Sequence, residues 1–299
     1  MTNECQPPSS DPRVRCAQRA GALLGEGPVW SAAEQALFWL DIQGCRIHRH
    51  DPASGTGESW PTPFRIGSLA PRASGGFIGG SEHGIVAIDR SFAEFSIVAA
   101  PEPDLPGNRF NDGKVDGQGR FWAGTMDDAE QAATGVLYRL DAELRVSCHD
   151  EGYRVTNGPT FSPDGAWMYH TDSAAQTVYR FAVGADGEPF GRNVFLKFEE
   201  GDGFPDGMTT DAVGNLWIAF WDGWCLRQVS PSGDILRKID LPVQRPTSCT
   251  FGGRLLDTLF VTSASKGLDE AALARQPLAG SLFAIPGLGE GVPMPPFAG

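Results

Sequence analysis

Four short stretches carry polar side chains that strand-making does not require. They are Leu24-Gly25-Glu26-Gly27-Pro28-Val29-Trp30, Gly107-Asn108-Arg109-Phe110-Asn111-Asp112-Gly113-Lys114, Thr156-Asn157-Gly158-Pro159 and Phe204-Pro205-Asp206-Gly207-Met208. Each sets a carboxylate or carboxamide beside a glycine. Taken alone, Glu26 reads as a solvated acid and Asp206-Gly207 as an ordinary turn. Taken together they share a design. Glu26, Asn157 and Asp206 all offer oxygen donors. Two carboxylates and one amide oxygen, completed by water, suit a hard cation and carry a net charge of about -2. The neighbouring glycines free the backbone to aim the three side chains at one point.

What positions them is a repeat. Ala36–Asp41, Gly75–Gly80, Gly119–Gly124, Gly165–His170, Gly214–Ala219 and Asp257–Thr262 are aromatic, apolar segments, most of them following a glycine turn. They recur every roughly 40 to 50 residues, the period of propeller blades. Turn signals such as Ser162-Pro163-Asp164-Gly165 separate Val-, Ile-, Phe-, Trp- and Tyr-rich runs, which argues for an all-β chain. The expected fold is a six-bladed β-propeller. Residues 19–299 form its single domain, behind a polar tail over 1–18. Ring closure is expected to join the region near Pro293–Phe297 to the N-terminal residues. The only helical pattern lies in Ser265–Ala279, with Leu268, Ala272 and Leu273 ahead of Pro277. Without alternating amphipathic helices a TIM barrel is disfavoured. A propeller brings one strand of every blade to a central channel, so residues distant in sequence can meet there.

Composition narrows the partners. Of 299 residues, 41% are hydrophobic and 20% charged, which is a globular balance. A net charge of -13 with no basic patch excludes a nucleic-acid partner. Six cysteines without a CxxC pair point to a reduced chain. The N-terminal residues hold no apolar signal core, and no stretch is long enough to span a membrane. The expectation is a cytoplasmic monomer with a small-molecule partner.

The stretches LGEGPVW, NRFNDGKVDGQGRFWAGTM, TNGPTFSPDGAWMYHTDS, FPDGMTTDAVGNLWIAFW and PTSCTFGG resemble the gluconolactonase / regucalcin (senescence marker protein) family of sugar lactonases. The resemblance runs from about residue 22 to 285 and implies a six-bladed propeller. It implies one divalent metal held by Glu26, Asn157 and Asp206, and substrate contacts from Arg109 and Asn111. Some relatives grip the sugar with a Glu just past the GTM motif. Here Gly124-Thr-Met-Asp-Asp128-Ala-Glu130 stands at that place, and Asp128 or Glu130 takes the role. The implied reaction is metal-dependent opening of gluconolactone-, xylonolactone- or arabinonolactone-type rings to aldonic acids. Asp206 is assigned as general base. The metal is expected to be Ca²⁺, with Zn²⁺, Mn²⁺, Mg²⁺ and Fe²⁺ as alternatives. Two other readings stand beside this one: a non-catalytic calcium-binding or interaction propeller, and a phosphotriesterase-like hydrolase. His170 and Asp172 are read as core or supporting positions and Cys249 as a core thiol. Trp221 and Trp224 are read as pocket walls.

Overall fold

The computed structural model describes residues 11–299, which fold into six four-stranded antiparallel sheets. The innermost strands are Gly25–Ser31, Ile66–Pro71, Asn108–Val115, Thr156–Phe161, Phe204–Thr210 and Pro246–Gly252. Each packs against the next, and the last packs against the first, so the six sheets close a ring of six blades.

The aromatic repeats are therefore not the channel strands. They are the second strand of each blade: Ala36–Asp41, Phe77–Ser81, Phe121–Asp127, Trp167–Asp172, Leu216–Trp221 and Thr258–Ser263. The polar stretches themselves form the inner strands. A second strand is covered on both faces by neighbouring blades, so it tolerates a nearly continuous apolar run. Trp39, Trp122 and Trp217 are fully buried there. At roughly 1.5–3 kcal/mol for each large apolar side chain buried, such residues dominate blade packing. Two of these indoles also have polar partners. Trp122 Nε1 donates to Asp116 at 2.8 Å and Trp217 Nε1 donates to Asp211 at 3.1 Å.

Every innermost strand breaks register with its neighbour at the same level. The breaks fall at Glu26/Val29, Ile66/Ser68, Phe110/Gly113, Asn157/Thr160, Pro205/Met208 and Pro246/Cys249. Such a bulge leaves residues unpaired and re-aims their side chains. Gly27 (φ 51) and Gly158 (φ 82) take the left-handed backbone the bulge needs.

Ring closure uses N-terminal residues as expected, but with a different C-terminal partner. Arg15–Gln18 forms the outermost strand of the sixth blade, with Arg15 opposite Ala284 and Cys16 opposite Phe283. It pairs with Leu282–Pro286, not with Pro293–Phe297. Phe297 instead bridges to Arg72 beside the second blade and is fully buried. The expected tail boundary at 18 thus moves toward the N-terminus, and residues 1–10 of that tail lie outside the described residues. A four-residue polar strand has no periodicity to read; pairing with a strand more than 260 residues away creates it. The helix covers only Glu270–Arg275, with Asp269 capping Ala272 N. Gly267 (φ 73) blocks it on one side, and Pro277 disfavours helical backbone at Gln276 on the other. No helix of the described residues is long and apolar enough to cross a membrane.

Candidate active site

A cavity of about 340 Å³ opens at one end of the channel, and Glu26, Arg109, Asn111, Asn157 and Asp206 all line it. That volume is in the range that encloses a small ligand. The five residues come from the first, third, fourth and fifth blades, and each lies at or beside the register break of its strand. Asn111 and Asp206 fall within the unpaired stretch itself, while Glu26, Arg109 and Asn157 are still paired at or just before its leading edge. Two aspartates hold the approaches. Asp41 accepts from Leu23 N and Leu24 N at 3.0 Å each, just ahead of Glu26. Asp172 accepts from Arg154 N at 3.2 Å and Val155 N at 3.3 Å, just ahead of Asn157. His170 is buried edge-on to Tyr153 at 4.6 Å.

Glu26 and Asp206 are both nearly buried. Burial pushes both carboxyls well above the usual carboxylate range, and the nearby acids add to it: Asp206 and Asp112 act on Glu26, and Asp112 acts on Asp206. Glu26 takes the Gly27 N–H at 3.0 Å, and Asp206 is helped by the Gly207 N–H and the charge of Lys266. No lysine or arginine bonds to either among the described residues. Asp112, one layer deeper, is pushed up to about 6 by burial, against the pull of Lys114 and of two N–H groups.

Asn157 spends its amide N–H on Ser173 Oγ at 2.8 Å. That fixes its Oδ1 outward, where it accepts only a long 3.3 Å bond from Asn111. Two buried acids short of positive charge and one under-used amide oxygen are the donor set a divalent cation completes. Among the described residues no group of three His, Cys, Asp or Glu side chains is suited to a metal; the third donor here is an amide.

Arg109 is almost fully covered, and burial lowers its pKa despite its carboxylate partner. Its Nε donates to Asp128 at 2.7 Å; Nη1 donates to Asn111 Oδ1 at 2.7 Å and to Phe110 O at 3.1 Å. Nη2 has no partner among the described residues and remains available to a ligand. Asn111 is more tightly engaged, donating to Thr156 O at 2.8 Å as well.

Asp128 does not line the cavity. It sits behind Arg109, and Arg65 Nη1 reaches its two oxygens at 2.9 and 3.0 Å. Arg65 is in turn held by Glu82 at 2.9 Å. Glu130 does line the cavity. The Asp127 carboxylate gathers the loop through Gln131 N and Ala132 N at 2.9 Å each and holds Glu130 in left-handed backbone (φ 59). Trp221 is in the wall and Trp224 is not. Cys249 is buried, with its thiol pushed up to about 12 by burial, which suits a core position. Sequence reasoning missed Ser173, Arg245 and Lys266. Ser173 follows the YHTD run it had singled out, but the other two lie in loops without a motif.

Known proteins resemble most of the chain. Residues 24–265 match the family model described as SMP-30/Gluconolactonase/LRE-like region. The 6-deoxy-6-sulfogluconolactonase of Pseudomonas putida is 39% identical over 96% of this chain and 99% of its own. Regucalcin of Gallus gallus is 36% identical over 97% and 100%. Among solved structures, a calcium-binding protein, regucalcin, from Agrobacterium tumefaciens superposes with a TM-score of 0.87 at 28% identity, covering 96% of this chain and 98% of that one.

Proposed function

The chain belongs to the SMP-30/gluconolactonase/LRE-like family and is a sugar lactonase of that family; we propose that it opens aldonolactones to aldonic acids with the help of one divalent cation. The observation that carries the reading is the meeting in one cavity of Glu26, Asn157 and Asp206 with Arg109, whose Nη2 has no partner among the described residues. Glu26, Asn157 and Asp206 would hold the cation. When bound, it supplies Lewis-acid polarisation of the ester carbonyl and of the attacking water. An all-oxygen donor set puts Ca²⁺ first.

The protein's own residues do the rest. Water adds to the lactone carbonyl carbon and the bond to the ring oxygen breaks. A free carboxylate oxygen of Asp206 takes the proton of the attacking water and returns it to the ring oxygen, which leaves as a hydroxyl. Arg109 donates through Nη2 to ring or hydroxyl oxygens of the sugar. Asp128, Phe110 O and Asn111 lock the guanidinium plane, so little freedom is lost when substrate binds. Asp128 therefore acts by positioning Arg109, and Glu130 is the acid placed to meet sugar hydroxyls. Trp221 offers an aromatic face to the sugar's C–H face.

The test is a pH-stat assay on D-glucono-1,5-lactone, D-xylonolactone, L-arabinonolactone and D-galactonolactone. EDTA-stripped protein is supplied with single divalent ions, and Asp206→Ala is run in parallel. Ion-restored hydrolysis in the wild type alone supports the reading. No ring opening above the spontaneous rate, with any ion, overturns it in favour of a binding propeller.

A further inference from the structure

The cavity wall opposite Arg109 is unlike the rest of this acidic chain. It is built by the sixth blade, which stands across the ring from the third. Arg245 immediately precedes the innermost strand Pro246–Gly252, and Lys266 follows the second strand Thr258–Ser263 by three residues. Both line the cavity. A chain of net charge -13 thus places two further cations beside its candidate metal ligands.

Arg245 is built in. Its Nε donates to Asp222 at 2.7 Å, Nη1 donates to the Lys266 carbonyl, and the guanidinium lies over the Trp221 ring at 4.7 Å. Its side chain is only 14% exposed. These contacts fix the plane and leave Nη2 without a partner among the described residues. Lys266 has one acidic neighbour, Glu130, at 3.6 Å. A saturated charge-assisted bond would be about 2.7–2.9 Å, so the ammonium keeps donors to spare.

A neutral polyol tail does not call for two cations. Hydroxyls are met as well by amides and carboxylates, without the cost of desolvating charge. A fixed guanidinium edge beside an ammonium suits the oxygens of a tetrahedral oxyanion. We infer that Arg245 and Lys266 form a subsite for an anionic group, phosphate or sulfonate, on the lactone end remote from the carbonyl. The inference rests on the lactonase reading and narrows its substrate class. An arriving anion takes Glu130's place on Lys266, while Asp222 keeps Arg245 oriented.

The experiment compares kcat/KM for D-glucono-1,5-lactone, 6-phospho-D-glucono-1,5-lactone and 6-deoxy-6-sulfo-D-glucono-1,5-lactone. It uses wild type, Lys266→Gln, Lys266→Glu and Arg245→Gln. The readout is the ratio of anionic to neutral substrate, which a general loss of folding or metal does not move. The wild-type ratio is expected to exceed about tenfold for at least one anion, and the two anionic arms name which. Lys266→Gln and Arg245→Gln should each lower it about tenfold, the worth of one hydrogen bond to a charged group. Lys266→Glu should bring it below one, and added salt should shrink the wild-type preference. Hydrolysis of the neutral lactone with a wild-type ratio near one overturns the subsite and spares the lactonase reading. So does a ratio that Lys266→Gln leaves unchanged; this half-exposed lysine can be replaced without disturbing the Trp221 wall. No hydrolysis of any lactone with any ion overturns both.

Discussion

The innermost strands line two cavities, and the larger is not the candidate active site. Their leading residues surround the 340 Å³ cavity of Glu26, Asn157 and Asp206. Their later residues surround a second one of about 480 Å³, with Asp112, Lys114, Thr209, Cys249 and Thr250 in its wall. The second holds polar groups too, but its Asp112, Lys114 and Cys249 are spent on the protein. Asp112 takes the N–H groups of Gly113 and Gly158 at 2.8 Å each. Lys114 donates to Met208 O at 2.9 Å, and Cys249 Sγ to Trp217 O at 3.3 Å. In the first cavity Glu26 and Asp206 lack a bonded positive partner and Arg109 keeps an idle Nη2 among the described residues. Volume records where strands diverge around the axis; unspent donors and acceptors record where a ligand is expected.

Substitutions can break this contrast. The largest effect should come from Asp206→Ala, which under the proposed mechanism removes a metal donor and the base together. Ion-dependent lactone hydrolysis should fall by roughly a hundred- to ten-thousandfold in a pH-stat assay. Next comes Asp128→Ala, which touches no substrate in this account. With Arg109 unlocked, kcat/KM should fall by about ten- to a hundredfold, the worth of one buried charged bond. An unchanged value would remove Asp128 from the positioning of Arg109. In the larger cavity Thr250→Val should change kcat/KM by less than about twofold, since replacing an unengaged hydroxyl by a methyl is nearly neutral. A loss comparable to that of Asp128→Ala would erase the distinction between the cavities.

The smallest expected effect lies outside both. His48 is buried, stacked on Trp39 at 4.1 Å, and burial pushes its pKa down to about 4. The unfolded chain, with His near 6.5, then binds more protons than the folded one between pH 6.5 and 4. Stability is full above that window and falls as pH drops through it. Thermal unfolding from pH 7 to 4 should show the loss, and His48→Phe, which keeps an aromatic ring on Trp39, should recover roughly 2–5 °C of it at the acid end.

Much of this was legible in the residues. The aromatic repeats and their turns announced six blades, because a strand covered on both faces must be apolar and its turns need glycine. The repeats were legible, but their place in the blade was not. Glu26-Gly-Pro and Asn157-Gly-Pro look like turns, and only the neighbouring strand turns them into bulged channel strands. Glu26, Asn157 and Asp206 could be singled out because a polar residue in an apolar stretch needs a reason. Arg245 and Lys266 gave no such signal, since a cation in a surface loop needs none. The closing strand Arg15–Gln18 was hidden for a related reason. Its existence depends on Leu282–Pro286, and nothing in four residues encodes that.

The central claim is that the two under-compensated acids and the amide oxygen of Asn157 form one cation site that governs hydrolysis. The most direct measurement titrates Ca²⁺ into EDTA-stripped protein by calorimetry and follows D-glucono-1,5-lactone ring opening at each occupancy. The account predicts one site per chain, a rate that rises in proportion to its filling, and the loss of both in Asp206→Ala. Full activity in the stripped protein, or retained binding and hydrolysis in that variant, would contradict it.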